Sequence, residues 1–278
     1  MPILIHAIKY LATGFAISLV TLLYPVLYIF QDNMLFFPRP LAPASKQILQ
    51  HQHPGGMVNL QTVDKINLQG WMVNTPKRGK KPIMLYFGGN AEEVSSFLLT
   101  VAPKYPEWVI MAVNYRGYGE SGGEPSEKAL YSDALLAYDW VVAQPGIDGD
   151  RVVVMGRSLG SGVAVYLAAQ RKVAGTILVS PYDSIKNIAQ DIYPYVPVAL
   201  LLKHPFKASS YAPTIKVPLL AIIADGDQVI PNRYSRGLIA KWGGPHQLKK
   251  INNVGHNTIS SGVGYYKTIA DYLAAVAK

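Results

Sequence analysis

The feature that most constrains the fold of this chain is the segment Gly156–Gly160, which reads G-x-S-x-G. The apolar run Arg151–Met155 precedes it, and a run of small and apolar residues, Ser161–Ala169, follows it. This order indicates a strand, a tight turn and a helix. A serine in such a turn has strained backbone angles, and the residues two before and two after it must be small. The segment therefore predicts a nucleophilic Ser158, although a glycine-rich turn with an exposed serine of no chemical role has the same pattern.

Short apolar runs separated by amphipathic segments continue through the chain from residue 57 onward. Buried strands bounded by turns and alternating with helices predict an α/β fold, with a mostly parallel central sheet and helices on both faces. An antiparallel pair, Met57–Val63 and Ile66–Val73, opens this part of the chain. The other predicted strands are Pro82–Phe87, Trp108–Val113, Gly175–Ser180, Pro218–Ala224 and Gln247–Ile251, and the clearest helices are Ser126–Ala143 and Gly264–Ala277.

Polar side chains that complement a nucleophilic serine follow the last two predicted strands. Asp225 and Asp227 come after one strand, and His256 comes after the next, preceded by Gly255. Functional residues of a parallel sheet gather at the carboxyl ends of its strands. A histidine there can take the proton of Ser158, and a carboxylate can orient the imidazole. We expect Ser158, His256 and Asp227 to act together, with Asp225 as the alternative acid or as a brace of the turn.

A serine nucleophile also needs hydrogen-bond donors for an oxyanion. One is the backbone N–H of Leu159, which follows the nucleophile, and the second should come from the loop after Pro82–Phe87. We assign the second donor to Asn90 in this glycine-rich loop, with its neighbours Gly89 and Ala91 as alternatives.

The N-terminal segment Tyr10–Phe30 contains no charged residue, and its length is close to the about 20 residues that cross a bilayer as a helix. We expect residues 1–32 to be an uncleaved, single-pass membrane anchor, residues 33–56 a linker and residues 57–278 the globular domain. A cleaved signal peptide and a buried core helix are the alternatives. The charges that flank the span weakly favour the globular domain on the non-cytoplasmic side.

Composition limits the partners and cofactors of the chain. Its 278 residues carry a formal net charge of +9, but the basic residues are scattered and no nucleic-acid motif accompanies them. We therefore expect no nucleic-acid partner, and attraction to anionic lipid is the alternative to a simply solvated surface. There is no cysteine, which excludes disulfides and thiol chemistry. His51 and His53 read as loop residues, so no metal or cofactor is expected.

A segment rich in proline and leucine, Ile192–Phe206, lies between two predicted strands. It falls in a short insert, about residues 183–212, which we expect to form a small apolar cap. Leu200 and Leu201 are the candidate substrate-binding residues, although they could equally pack down on the sheet. Lys203, His204 and Lys207 beside them could meet anionic headgroups or a substrate carboxylate.

Together these motifs resemble the α/β-hydrolase superfamily, and specifically its membrane-anchored "alpha/beta hydrolase domain-containing" serine hydrolases. The resemblance covers nearly the whole chain and is carried by five segments, Phe87–Ala91, Asn114–Ser121, Gly156–Gly160, Asp227–Pro231 and Gly255–Asn257. Phe36–Pro38 also resembles the Phe-x-Pro that follows the anchor in that group.

The resemblance implies the α/β-hydrolase fold and hydrolysis of carboxylic esters or thioesters, with small acyl esters, lipids or acylated proteins as substrates. One departure stands out, because the family usually has histidine where this chain has Gly88. The loss of a side chain that would brace the loop favours the competing hypothesis, a catalytically silent binding or scaffold protein.

Overall fold

The computed structural model describes residues 6, 10, 13–14 and 18–277. Eight strands are present in this part of the chain: β1 Met57–Gln61, β2 Asn67–Val73, β3 Lys81–Phe87, β4 Val109–Val113, β5 Ile147–Arg157, β6 Gly175–Val179, β7 Leu219–Ala224 and β8 His246–Ile251. They form one sheet in the order β1-β2-β4-β3-β5-β6-β7-β8. β2 runs antiparallel to β1 and β4, and every other neighbouring pair is parallel. The predicted mostly parallel sheet is confirmed.

Helices connect the strands and cover both faces of the sheet. Those with at least seven residues are α1 Tyr24–Leu35, α2 Pro43–Gln52, α3 Ser95–Val101, α4 Glu127–Val142, α5 Leu159–Gln170, α6 Ile185–Ile192, α9 Asn232–Ile239 and α10 Tyr265–Val276. Two four-residue helices, α7 Val198–Leu201 and α8 Ala208–Tyr211, lie between α6 and β7. The hydroxyl of Ser126 caps α4 by accepting from the N–H of Ala129, which satisfies a donor that the helix leaves free.

The sheet has a separate hydrophobic core on each face, because successive side chains of a strand point to opposite sides. In β3, Ile83, Leu85 and Phe87 belong to one core. The alternate residues Met84 and Tyr86 belong to the other. All five are buried, which explains why this strand reads as a continuous apolar run rather than as an alternating pattern.

The segment predicted as a linker makes specific contacts with the domain. Phe36 is buried, and its ring packs edge-on against Phe206 at a centroid distance of 6.4 Å. The helix α2 lies within the same predicted linker, and its Leu49 is fully buried in the second core. The chain between the N-terminal helix and β1 is therefore fixed to the sheet.

The insert between β6 and β7 contains α6, α7 and α8, and α1 lies against it. Gln31 of α1 donates to the carbonyl oxygen of Leu201 at 3.0 Å and accepts from the N–H of Lys203 at 2.7 Å. Asp32 pairs with Lys203 at 3.0 Å and with the ring of His204 at 2.9 Å. The C-terminal half of α1 is thus attached to the insert by polar contacts.

The predicted anchor Tyr10–Phe30 falls partly outside the described residues, because residues 11–12 and 15–17 are not among them. Within the described part, no helix combines the length and the apolar run that a membrane crossing needs.

Candidate active site

The turn between β5 and α5 has the geometry that the sequence predicts. Ser158 has φ 51° and ψ −121°, a backbone conformation that a residue with a Cβ rarely adopts. A Cβ added at Gly156 would lie 2.3 Å from the carbonyl oxygen of Gly160, and one at Gly160 would lie 2.2 Å from that of Phe87. No side chain fits at those distances, so both glycines are needed for the turn to approach β3 this closely.

The side chains of Ser158, His256 and Asp227 form a hydrogen-bonded row. His256 Nε2 lies 3.0 Å from Ser158 Oγ, and His256 Nδ1 lies 2.9 Å from Asp227 Oδ2. An ionised carboxylate only accepts hydrogen bonds, so the proton of the neutral ring resides on Nδ1. Nε2 then has a free lone pair directed at the serine hydroxyl. This arrangement can accept the proton of Ser158 as its oxygen attacks an electrophile.

Asp227 is held in its charged form by the loop that follows β7. Its Oδ1 accepts from the N–H groups of Val229 at 3.0 Å and Ile230 at 2.8 Å. Burial acts to raise the pKa of Asp227, but the hydrogen bonds from His256 and the backbone of Ile230 outweigh it and hold the pKa below its usual value. The carboxylate is therefore ionised at neutral pH.

Asp225, the alternative acid, has a different position. Its carboxylate accepts from the backbone N–H groups of Asn253 at 3.1 Å and Val254 at 3.3 Å. These hydrogen bonds, that from Asn253 first, lower the pKa of Asp225. The structure thus brings Asp227 to His256 and places Asp225 as a brace of the loop that carries the histidine.

Of the two residues expected to supply oxyanion donors, Leu159 follows the serine in the chain, and Asn90 belongs to a loop that passes beside it. Leu159 is the first residue of α5, so its N–H has no partner within the helix and lies at the positive end of the helix dipole. Asn90 follows Gly89, at which an added Cβ would lie 3.7 Å from the Ser158 Cβ. The Asn90 side chain donates to the carbonyl oxygen of Leu35 at 3.1 Å. Of the hydrogen bonds between described residues, none uses the backbone N–H of Asn90.

Glu92, which the sequence analysis did not single out, braces this loop from behind. Its Oε2 accepts from the N–H of Gly89 at 2.9 Å and from Arg157 Nη1 at 3.0 Å, while its Oε1 accepts from the hydroxyl of Tyr86 at 2.7 Å. A Cβ added at Gly88 would lie 3.4 Å from the Glu92 side chain. Glu92 therefore fills the space beside Gly88 and fixes the loop that the family histidine would brace.

Arg157, which directly precedes the serine, joins three loops of the site. Besides its pair with Glu92, its Nη2 donates to the carbonyl oxygen of His256 at 3.4 Å and to Asn257 Oδ1 at 3.3 Å. The opposite charges of Glu92 and Arg157, each close to a glycine-containing motif, are the sequence signal for this network.

The two candidate substrate-binding leucines differ in position. Leu201 lines a cavity of about 310 Å³ beside the insert. Leu200 is 84% exposed and is not among the cavity's lining residues. The structure therefore places Leu201, but not Leu200, at the cavity.

The basic residues beside these leucines have internal partners. Lys203 and His204 both pair with Asp32, and His204 Nδ1 also accepts from the N–H of Glu127 at 3.2 Å. Because Nδ1 accepts, Nε2 carries the proton and donates to Asp32. Lys207 is exposed. Among the described residues, no cluster of three or more His, Asp or Glu side chains is placed to hold a metal ion.

Comparisons with known proteins identify the family of this chain. A sequence model described as "Alpha/beta hydrolase family" matches residues 95–242. An uncharacterized protein of Mycobacterium tuberculosis is 32% identical over 230 residues, which cover 82% of this chain and 80% of that protein. Lysophosphatidylserine lipase ABHD12 of Xenopus tropicalis is 32% identical over 174 residues, 54% of this chain and 44% of the lipase. The Pyrococcus furiosus esterase Pf2001 has a similar structure, with a TM-score of 0.70 at 18% identity over 88% of this chain and 98% of the esterase.

Proposed function

The chain belongs to the alpha/beta hydrolase family, and from that membership we propose that it is a serine hydrolase that cleaves carboxylic ester or thioester bonds. The observation that carries the proposal is the hydrogen-bonded row from Ser158 through His256 to Asp227, at the carboxyl ends of β5, β8 and β7. Asp227, His256 and Ser158 are all buried, so substrate rather than bulk water would surround the serine during reaction.

The proposed reaction has two steps. Ser158 Oγ attacks the acyl carbon as His256 Nε2 takes its proton, and the N–H groups of Leu159 and Asn90 stabilise the oxyanion. His256 then donates that proton to the leaving alcohol or thiol, which gives an acyl-enzyme. Water, activated by His256, attacks the acyl carbon, and the proton returns to Ser158 as the acid leaves.

The alternative, a catalytically silent binding protein, was suggested by the glycine at position 88. The Glu92 contacts argue against it, because they supply the brace that the missing histidine would give. Glu92 acts as a positioning residue in this proposal, since it holds the loop of Asn90 without touching the reacting atoms.

Acyl lipids, small acyl esters or acylated proteins are the proposed substrates. The named activity of the Xenopus relative, a lysophosphatidylserine lipase, supports an acyl substrate of lipid type for this chain. Leu201, in the insert, lines an apolar cavity that Asn90, the proposed oxyanion donor, also lines. We also propose that the catalytic domain comprises residues 57–278, with the cap at about residues 183–212.

A fluorophosphonate probe tests this proposal directly. The purified full-length chain is expected to react so that Ser158 Oγ displaces fluoride from phosphorus, and mass spectrometry should place the adduct on Ser158. The same sample should hydrolyse nitrophenyl esters. A wild-type sample that melts cooperatively but neither labels nor turns over ester would favour the silent binding protein.

We further propose that the N-terminal segment anchors the protein in a membrane with the catalytic domain on the non-cytoplasmic side. No charged residue lies between Lys9 and Asp32. Val26, Ile29 and Phe30 of α1 are also exposed. The full chain is expected to sediment with membranes and to resist carbonate extraction. Recovery of a shortened, soluble mature protein would instead identify a cleaved signal peptide.

A further inference from the structure

The helix α1 and the cap helix α6 present apolar faces to one another. One face of α1 lines the cavity of about 310 Å³, with residues at helical spacing: Leu27, Gln31, Met34 and Leu35. One face of α6 lines the same cavity with Ile185, Ile188, Ala189 and Ile192. The N-terminal helix therefore supplies one wall of the cavity, and the cap supplies the facing wall.

The lining has the chemistry of a hydrocarbon site. No Asp, Glu, Lys or Arg is found among the described residues that line it. Three of its polar side chains already bond to the protein: Gln31 to the backbone at Leu201 and Lys203, His204 to Asp32 and Glu127, and Asn90 to Leu35. A sugar or peptide would find few free partners there and would lose its own hydrogen bonds to water.

The cavity borders two loops of the candidate active site. Asn90, the expected oxyanion donor, and Val229, whose N–H donates to Asp227, are both lining residues. Its volume is at the lower end of the range of about 300–1,000 Å³ for small-molecule sites. A single extended chain suits this volume better than a branched or two-chain group.

We propose that the cavity between α1 and the cap binds the acyl chain of the substrate, so that the N-terminal helix sets acyl-chain selectivity. The proposal rests on the serine hydrolase activity proposed above. The polar contacts of Gln31 and Asp32 hold the helix against the cap and so position this wall of the cavity.

The test compares the kcat/KM of nitrophenyl octanoate and nitrophenyl acetate for the full-length chain in phosphatidylcholine nanodiscs. Each methylene bound in the cavity should raise kcat/KM by up to about fourfold, so the octanoate/acetate ratio of the wild type should be well above one. Leu27→Trp fills the cavity from α1 and should lower this ratio by about tenfold or more. Ala189→Phe fills it from the facing helix and should do the same.

Ile29→Trp is the matched control, since Ile29 lies on the same helix, is 63% exposed and does not line the cavity. It should keep the wild-type ratio. Fluorophosphonate labelling of every variant separates the two proposals. Failure of the wild type to label would refute the hydrolase itself, whereas normal labelling with an unchanged ratio in both Leu27→Trp and Ala189→Phe would overturn the acyl-chain site alone. A change in membrane affinity without a change in ratio would also overturn it, because the cavity would then hold a bilayer lipid.

Discussion

Ser158→Ala is expected to lower kcat for ester hydrolysis by roughly 10⁵- to 10⁶-fold while the domain stays folded. The serine oxygen forms the bond to the acyl carbon, and without it His256 has no proton to take. The residual rate would come from the oxyanion donors and from substrate binding. Turnover in the variant and the wild type should be measured alongside fluorophosphonate labelling, which should also disappear.

The backbone at Ser158 provides a second, independent readout of the same site. Alanine keeps the Cβ, so the strain at φ 51° and ψ −121° remains in Ser158→Ala. Glycine removes a strain of about 1–3 kcal/mol at an entropic cost of about 0.5–1 kcal/mol. Ser158→Gly should therefore be as inactive as Ser158→Ala but melt at a higher temperature. Unchanged turnover in either variant would remove Ser158 from the mechanism.

The turn between β5 and α5 and the central sheet could be predicted from the sequence because their determinants are local. Five consecutive residues, Gly156–Gly160, fix a turn whose close approaches leave no room for side chains. The strands β3, β4, β6 and β7 are buried on both faces, so each of them reads as a short apolar run. The strands from β4 to β8 run parallel to one another. Their parallel order places the loops after β5, β7 and β8 at one edge, which is why the proximity of Ser158, Asp227 and His256 could be expected before the structure.

The wall formed by α1 could not be predicted, because it depends on contacts between distant parts of the chain. Asp32 and His204 are separated by 172 positions. The sequence shows each only as a polar residue beside an apolar run, where solvent or lipid headgroups are equally good partners. Glu92 escaped notice for a related reason: its role depends on the exact path of the loop that returns its carboxylate to Gly89.

Asp227→Asn should lower kcat by about 10⁴-fold. It should also lower the melting temperature modestly, because the side chain loses its charge but keeps an oxygen that accepts from the loop. The amide is nearly isosteric, but its Nδ2 would donate to His256 Nδ1 and so place the ring proton on Nε2. That nitrogen could then no longer accept the proton of Ser158. Because the pKa of Asp227 in the wild type is lowered, its carboxylate stays ionised where a free aspartate begins to protonate, and it protonates only at lower pH. The stabilisation that depends on this charge should likewise be present at neutral pH and lost in acid.

Asp225→Asn is the matched control, two positions away in the same loop. Its side chain accepts only from backbone N–H groups, and the asparagine oxygen can still accept, so we expect kcat to change by less than about threefold. Steady-state kinetics of both variants with one nitrophenyl ester gives the comparison, and a thermal melt of each excludes unfolding. A larger loss in Asp225→Asn than in Asp227→Asn would mean that Asp225 is the acid that orients His256. Equal and small losses would mean that the imidazole needs no carboxylate here, because the Arg157 contact to the His256 backbone already fixes its loop.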